Sequence, residues 1–201
     1  MSKIIDGQEY YDENFKDVRL EPDQILTATF ADCAFINCSF ASAILRNCRF
    51  NNCVFKNCDL SLAKISGSSF PSTSFESSKL IGIDWTQGDW SKLRFGNLLG
   101  FSECVLNHST FIGVDLSGIQ IKDCIATGVD FREANLSKVA FGTTDLAESI
   151  FGNTNLSKAD LRHARNYSID PAKNNLERAK FSMPEAIALL YSMDIELDEN
   201  D

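Results

Sequence analysis

Apolar side chains recur at every fifth residue over most of this chain. From Tyr10 the phase runs through Phe15, Leu20, Ile25, Phe30, Phe35, Phe40, Leu45, Phe50, Phe55 and Leu60, then through Ile65, Phe70, Phe75, Leu80, Trp85, Trp90 and Phe95. It slips by one residue, resumes at Phe101, Leu106, Phe111, Leu116 and Ile121, passes Ala126, and continues from Phe131 through Leu136, Phe141, Leu146, Phe151 and Leu156 to Leu161. Two residues before these apolar positions the side chain is small or compact almost throughout, as at Cys33, Cys38, Ala43, Cys48, Cys53, Cys58, Ser109, Thr144 and Thr154. A period of five is neither the 3.6 of a helix nor the alternation of a strand. Repetition at this scale predicts a solenoid.

A second period sits on the first. Asp32-Cys33-Ala34-Phe35-Ile36-Asn37-Cys38 aligns with Asn52-Cys53-Val54-Phe55-Lys56-Asn57-Cys58 at a shift of twenty, and Cys104 recurs as Cys124. Equal shifts place equal residues on one face of adjacent coils. Stacked at about 4.8 Å, between seven and eight such coils make a rod roughly 35 Å long. One coil cannot bury its apolar edge, whereas stacked coils enclose a continuous column. The small residue then lies where the backbone turns inward, and overfilling such a site costs about 1–3 kcal/mol.

The recurring order is a small residue, Asp or Asn, Leu or Phe, and two variable residues. It is plainest in Ala134-Asn135-Leu136-Ser137, Thr144-Asp145-Leu146-Ala147, Thr154-Asn155-Leu156-Ser157 and Ala159-Asp160-Leu161-Arg162. Over roughly residues 8–165 it resembles the pentapeptide-repeat family. The resemblance implies an all-β fold, a right-handed quadrilateral β-helix with four pentapeptides to a coil. Residues 1–165 are read as this β-helix and 166–201 as a C-terminal cap and dimerisation segment.

Two regions leave the pattern. In Ile81–Gly100, Trp85 and Trp90 take inward positions, Ile83 and Leu93 replace the small residue, and Gly88 replaces it in the other direction. The slip reads as one extra residue, a bulge at Gly96, Asn97, Leu98 and Gly100, which serves either as a locally repacked coil or as a partner contact. After Leu161 the chain reads as a turn over residues 165–171 and a short extended segment from Leu176 to Phe181. Ser182-Met183-Pro184-Glu185 has the form of a capping box opening a short helix. Met183, Ile187, Leu190, Tyr191 and Ile195 form its apolar stripe. This C-terminal order is similar to that of the Qnr-type quinolone-resistance and microcin-immunity proteins, and the resemblance implies end-to-end dimerisation. A cap closing the solenoid is the alternative.

Charge and chemistry narrow the functions. With 28 acidic and 19 basic residues the net charge is −9, which argues against direct nucleic-acid binding through phosphates. The acid concentrates at the two ends. No apolar run is long enough for a membrane span, and the acidic N-terminus lacks the core of a signal peptide, so a cytoplasmic protein is expected. The seven cysteines lack C-x-x-C spacing and read as reduced inward spacers. His108 and His163 fall at outward phases. No catalytic motif, metal set or cofactor fingerprint is present, so no enzyme activity and no cofactor are expected.

Asp59, Asp84, Asp89, Asp115, Asp130, Asp145 and Asp160 directly precede inward residues. They either form an acidic surface resembling DNA phosphates or serve turn geometry and solubility. The family resemblance implies a non-enzymatic DNA mimic that binds DNA gyrase or a related type II topoisomerase, as a homodimer, and protects it from quinolones or a natural poison. The alternative is a repeat scaffold for an unrelated protein partner.

Overall fold

The computed structural model of the chain describes residues 4–92, 99–193 and 195. They form a β-solenoid of short parallel strands with four faces and one short C-terminal helix. On the first face Glu9–Tyr11, Thr29–Ala31 and Arg49–Asn51 stack in register. The second aligns Phe15, Phe35, Phe55, Phe75, Phe101 and Ile121 across six strands. The third is a ladder of bridges from Arg19 through Ser39, Asp59, Lys79, Val105, Ile125 and Asp145 to Arg165. The fourth pairs Ile25–Leu26 with Ile44–Leu45 and continues through Lys64, and farther along bridges Asp84, Thr110, Asp130 and Ile150.

The five-residue phase fills the interior as expected. Phenylalanines one coil apart lie parallel, with ring centroids of Phe30 and Phe50 5.0 Å apart and those of Phe35 and Phe55 4.5 Å apart. Rings on adjacent faces meet edge to face, as Phe30 does with Phe35 at 5.1 Å and 77°. The column therefore combines offset stacking along the rod with T-shaped contacts across it, the two geometries that the aromatic quadrupole favours.

The position two before each inward residue does more than stay small. Thr73, Ser78, Ser109, Thr144, Ser149 and Thr154 are buried, and each hydroxyl donates to a backbone carbonyl one coil below: Phe50, Phe55, Leu80, Ile121, Ala126 and Phe131 respectively. Several of these oxygens also accept a buried amide, as Ser109 does from Ile83 and Thr144 from Cys124. The thiols repeat the donation, Cys58 to Phe35 O and Cys104 to Phe75 O. All seven cysteines are buried and free. Burial pushes the Cys48 thiol up to about 11 and the Cys53 thiol up to about 12, so both stay protonated.

Two residues after most inward side chains the backbone turns the corner in the left-handed region. Asp, Asn and Gly hold most of these sites, the residue types that tolerate it best. Leu62 is an exception at φ 59, and it is exposed. Its side chain lies over Gly82 one coil on, where a Cβ would meet Leu62 Cδ2 at 2.8 Å.

Two expectations of register are corrected. Near the N-terminus the inward residue is Leu26, which is buried and aligned with Leu45, whereas Ile25 aligns with Ile44. The turn at residues 21–24, closed by the Gln24 amide on Glu21 O, takes up one residue more than the phase allows. The irregular region departs further. Ser74 pairs with Gly100, Lys79 with Val105 and Asp84 with Thr110, a shift of 26 where twenty is the rule. The coil thus carries six residues beyond its normal length, one whole pentapeptide plus one, and not a single-residue bulge. Gly96, Asn97 and Leu98 of that expected bulge lie outside the described residues, as does Phe95. Gly100 begins a regular strand, Gly100–Ser102.

Around this coil the two tryptophans are integrated differently. Trp85 is fully buried and stacks on Phe111 at 5.4 Å, and Trp90 is half-buried with Nε1 donating to Trp85 O at 2.7 Å. Each opens a 3₁₀ turn, Trp85–Gln87 and Trp90–Lys92.

At the far end the ladder runs on through Asn175 and Lys180, so the extended segment Leu176–Phe181 is one more course of the solenoid. The expected capping box does not form. Ser182 Oγ instead accepts the His163 amide at 2.9 Å, standing in for the carbonyl of a further coil. The helix is one turn, Ala188–Tyr191, after a 3₁₀ turn Glu185–Ile187 whose N-cap, Pro184, offers no side-chain bond.

Candidate functional site

The seven aspartates occupy all four faces. Asp89 and Asp115 lie on the first, Asp160 on the second, Asp59 and Asp145 on the third, Asp84 and Asp130 on the fourth. On the third face Lys79, Val105 and Ile125 separate Asp59 from Asp145. The structure therefore does not bring the seven into one stripe.

Each of the seven has a structural task. Its Oδ1 accepts the backbone amide two residues on: Ser61, Thr86, Ser91, Ser117, Arg132, Ala147 and Arg162, at 2.9–3.2 Å. This Asx turn fixes the corner. Asn135, Asn155 and Asn175 make the same bond, and their carboxamides chain along the first face, Asn135 to Asp115, Asn155 to Asn135 and Asn175 to Asn155. Sequence reasoning left turn and mimicry open, and the geometry supplies the turn at every position.

Two of the carboxylates are also paired. Arg132 closes on Asp130 at 2.7 Å and Arg162 on Asp160 at 2.6 Å. The Arg162 hydrogen bond beside Asp160 holds its carboxyl down at about 2, and the same contact from Arg132 lowers Asp130. Asp59, Asp115 and Asp145 hold their turns through Oδ1, with Oδ2 unengaged among the described residues. A denser acidic zone lies at the N-terminal end, where Asp12, Glu13, Asp17 and Asp32 are exposed on neighbouring corners.

The C-terminal end is apolar and open. Ala188 and Leu189 pack against the column, which leaves Met183, Leu190, Tyr191, Met193 and Ile195 exposed, Met183 by 70% and Tyr191 by 53%. Ile187 is half-buried. Beneath them Tyr167 is 3% exposed and its hydroxyl has no hydrogen-bond partner among the described residues. Burial, with Glu185 nearby, raises this phenol to about 12. An open depression beside the cap is lined by Thr143, His163, Arg165, Ser182, Met183 and Glu185. Among the described residues no group of three or more His, Cys, Asp or Glu could hold a metal ion, and no helix is long and apolar enough to cross a membrane.

Comparison with known proteins agrees with this geometry. A family model for a pentapeptide repeat region matches residues 28–99, and a model of eight copies of the pentapeptide repeat matches 101–137. The two meet where the coil register jumps. Among solved structures, full-length QnrB1, a plasmid-mediated fluoroquinolone resistance protein, superimposes with a TM-score of 0.60 at 15% identity, over 93% of this chain and 100% of that one. A trypsin-treated single-substitution form of QnrB1 gives 0.55 at 18% identity, over 94% and 97%. HetL, a pentapeptide-repeat protein involved in heterocyst differentiation regulation in the cyanobacterium Nostoc sp. strain PCC 7120, gives 0.54 at 15% identity, over 87% and 86%. No curated protein matches the sequence.

Proposed function

Since the chain belongs to the pentapeptide-repeat family, we propose that it is a non-enzymatic rod that binds a type II topoisomerase, DNA gyrase first, and protects it from a fluoroquinolone or a natural poison. The observation that carries this reading is the extent of the match to QnrB1, which spans all of that chain and 93% of this one. Two rods joined at their apolar C-terminal ends would present acidic N-terminal ends outward. In this reading those ends, with the unengaged carboxylate oxygens of Asp59, Asp115 and Asp145, meet a basic DNA-binding groove. Binding of that kind weakens with salt, because exposed charges are screened within about 8 Å at physiological ionic strength.

A second reading rests on a different observation. The acids are spread over four faces and two of them are paired with arginine, as suits a scaffold whose protein partner is not a DNA-binding enzyme. Gyrase supercoiling and cleavage assays separate the two. Protection from a fluoroquinolone or from a peptide poison, lost as salt rises, supports the first reading. Unchanged supercoiling and cleavage with and without every poison leaves the scaffold.

A further inference from the structure

Six of the seven cysteines stand in three stacked pairs. In the column two residues before the inward positions of the second face, Cys53 lies one coil above Cys33, and Thr73 follows. In the matching column of the third face the order is Cys38, Cys58, Ser78, Cys104, Cys124 and Thr144. Within a pair the two sulfurs have the same surroundings. Cys33 Sγ lies 3.6 Å from Tyr10 O and 3.3 Å from Ala31 O, and Cys53 Sγ lies 3.6 Å from Phe30 O and 3.4 Å from Asn51 O. Cys38 repeats this at 3.4 Å from Phe15 O and 3.5 Å from Ile36 O, and Cys58 at 3.3 Å from Phe35 O and 3.4 Å from Lys56 O. Cys104 and Cys124 approach Ser102 O and Lys122 O at 3.2 and 3.1 Å. Equivalent contacts one coil apart set the paired sulfurs about 4.8 Å from each other along the rod.

Folding does not demand thiols here. Hydroxyls make the same carbonyl bond in the same columns, Thr73 to Phe50 O and Ser78 to Phe55 O, and a thiol is the weaker donor. The spacing does not suit a disulfide either. Its Cβ atoms sit about 3.5–4.5 Å apart, whereas the coils are held at strand spacing by Val54 N to Cys33 O at 3.0 Å, Asp59 N to Cys38 O at 2.9 Å and Ile125 N to Cys104 O at 2.9 Å. Half that spacing, about 2.4 Å, is close to a metal–thiolate bond, which for zinc is about 2.3 Å. Zinc itself takes four ligands, and among the described residues no group of three or more His, Cys, Asp or Glu could hold it. Two sulfurs in line satisfy a soft closed-shell monovalent ion instead, and Cu(I) is the one that thiolates select.

We propose that the three pairs are Cu(I) sites, each ion held in line between two thiolates: Cys33 with Cys53, Cys38 with Cys58, and Cys104 with Cys124. Each ion displaces two thiol protons to water, so a loaded site carries one net negative charge. Burial raises the Cys53 thiol, and the partner thiol together with burial raises Cys58 and Cys124. In all three a backbone hydrogen bond from the lower cysteine acts the other way and favours the thiolate. Ser78 separates the two pairs of its column, and Thr73 and Thr144 end the others, so the sites are discrete. The six thiols are only 1–2% exposed, so an ion enters through local opening of a coil. This binding is independent of the topoisomerase reading.

Anaerobic titration of the folded full chain with Cu(I), run to equilibrium against a chromophoric Cu(I) chelator, tests this. The chain should retain three ions, each with two sulfurs and no third ligand by X-ray absorption. It should also melt higher once loaded, because the folded state holds the ion. Cys38→Ser with Cys58→Ser should lower the count to two, and so should Cys38→Ser alone, since one thiol does not complete a site. Cys104→Ser with Cys124→Ser provides an independent subtraction of the same size. Cys48 is the control: its neighbour one coil up is Ser68, so Cys48→Ser should leave the count at three. Serine already occupies the third-face column at Ser78, so these variants are compatible with the fold, as circular dichroism would verify. The proposal is overturned if no ion resists the chelator, if one ion is retained per thiol, if the pair variants leave the count unchanged, or if the loaded chain melts lower.

Discussion

At the scale of the residue, the position two before each inward side chain combines a volume limit with a hydrogen-bond requirement. Thr144 Oγ1 donates to Ile121 O and accepts the Cys124 amide, both inside the rod. Thr144→Val keeps the shape and strands both backbone groups, so it should cost about 1–3 kcal/mol in chemical denaturation, with Thr144→Ser much closer to the parent. The volume limit was legible because Cys, Ala, Ser and Thr share it. The bond was not, because Ala and Val occupy the same column and make none. Tyr167 is the opposite case, a buried hydroxyl with no partner among the described residues. Its phenol is raised to about 12 from an ordinary value near 10. A raised pKa means stability is complete below about pH 10 and falls as pH climbs through about 12. Tyr167→Phe should therefore match or exceed the parent in stability at neutral pH and resist unfolding longer between about pH 10 and 12, as followed by circular dichroism.

At the scale of the element, most of the inward set follows from the five-residue period and the stacking of the faces from the shift of twenty, while Leu26, inward in place of Ile25, is where the period alone misleads. The C-terminal end shows where local signals fail. Ser182-Met183-Pro184-Glu185 satisfies the capping-box pattern, but the corner amide of His163, where the last course ends, takes the Ser182 hydroxyl. Tertiary demand outcompetes the local cap, and the helix shrinks to Ala188–Tyr191. The apolar stripe foreseen for dimerisation is nonetheless exposed at four of its five positions: Met183, Leu190, Tyr191 and Ile195. If two ends join there, Leu190→Asp should convert a dimer into a monomer in light scattering without lowering the melting temperature of the rod, since Leu190 is already 40% exposed. A dimer that survives Leu190→Asp and Met183→Asp together would leave the patch as a cap only.

At the scale of the whole molecule, register decides which changes the rod absorbs. Phase counting in fives sees an insertion only after whole repeats are subtracted, so it detected one residue where the coil carries six. Strand pairing counts the full path from Ser74 to Gly100, and no pattern of apolar residues contains that information. Removing residues 93–98 returns the shift from 26 to twenty, with Trp90 followed by Ser91, Lys92, Leu99, Gly100 and Phe101, a regular pentapeptide step. Leu99 is already buried and Phe101 already stacks on Phe75 at 5.5 Å. In a solenoid each coil touches only its neighbours, so the repair needs no distant compensation. The six-residue deletion should melt within a few degrees of the parent, with the fluorescence of Trp85 retained, whereas a five-residue deletion of 94–98 leaves one surplus residue in the ladder and should melt lower. Equal melting of the two deletions would mean that the corner after Trp90 tolerates any path length, and that the coil register is set by its neighbours alone.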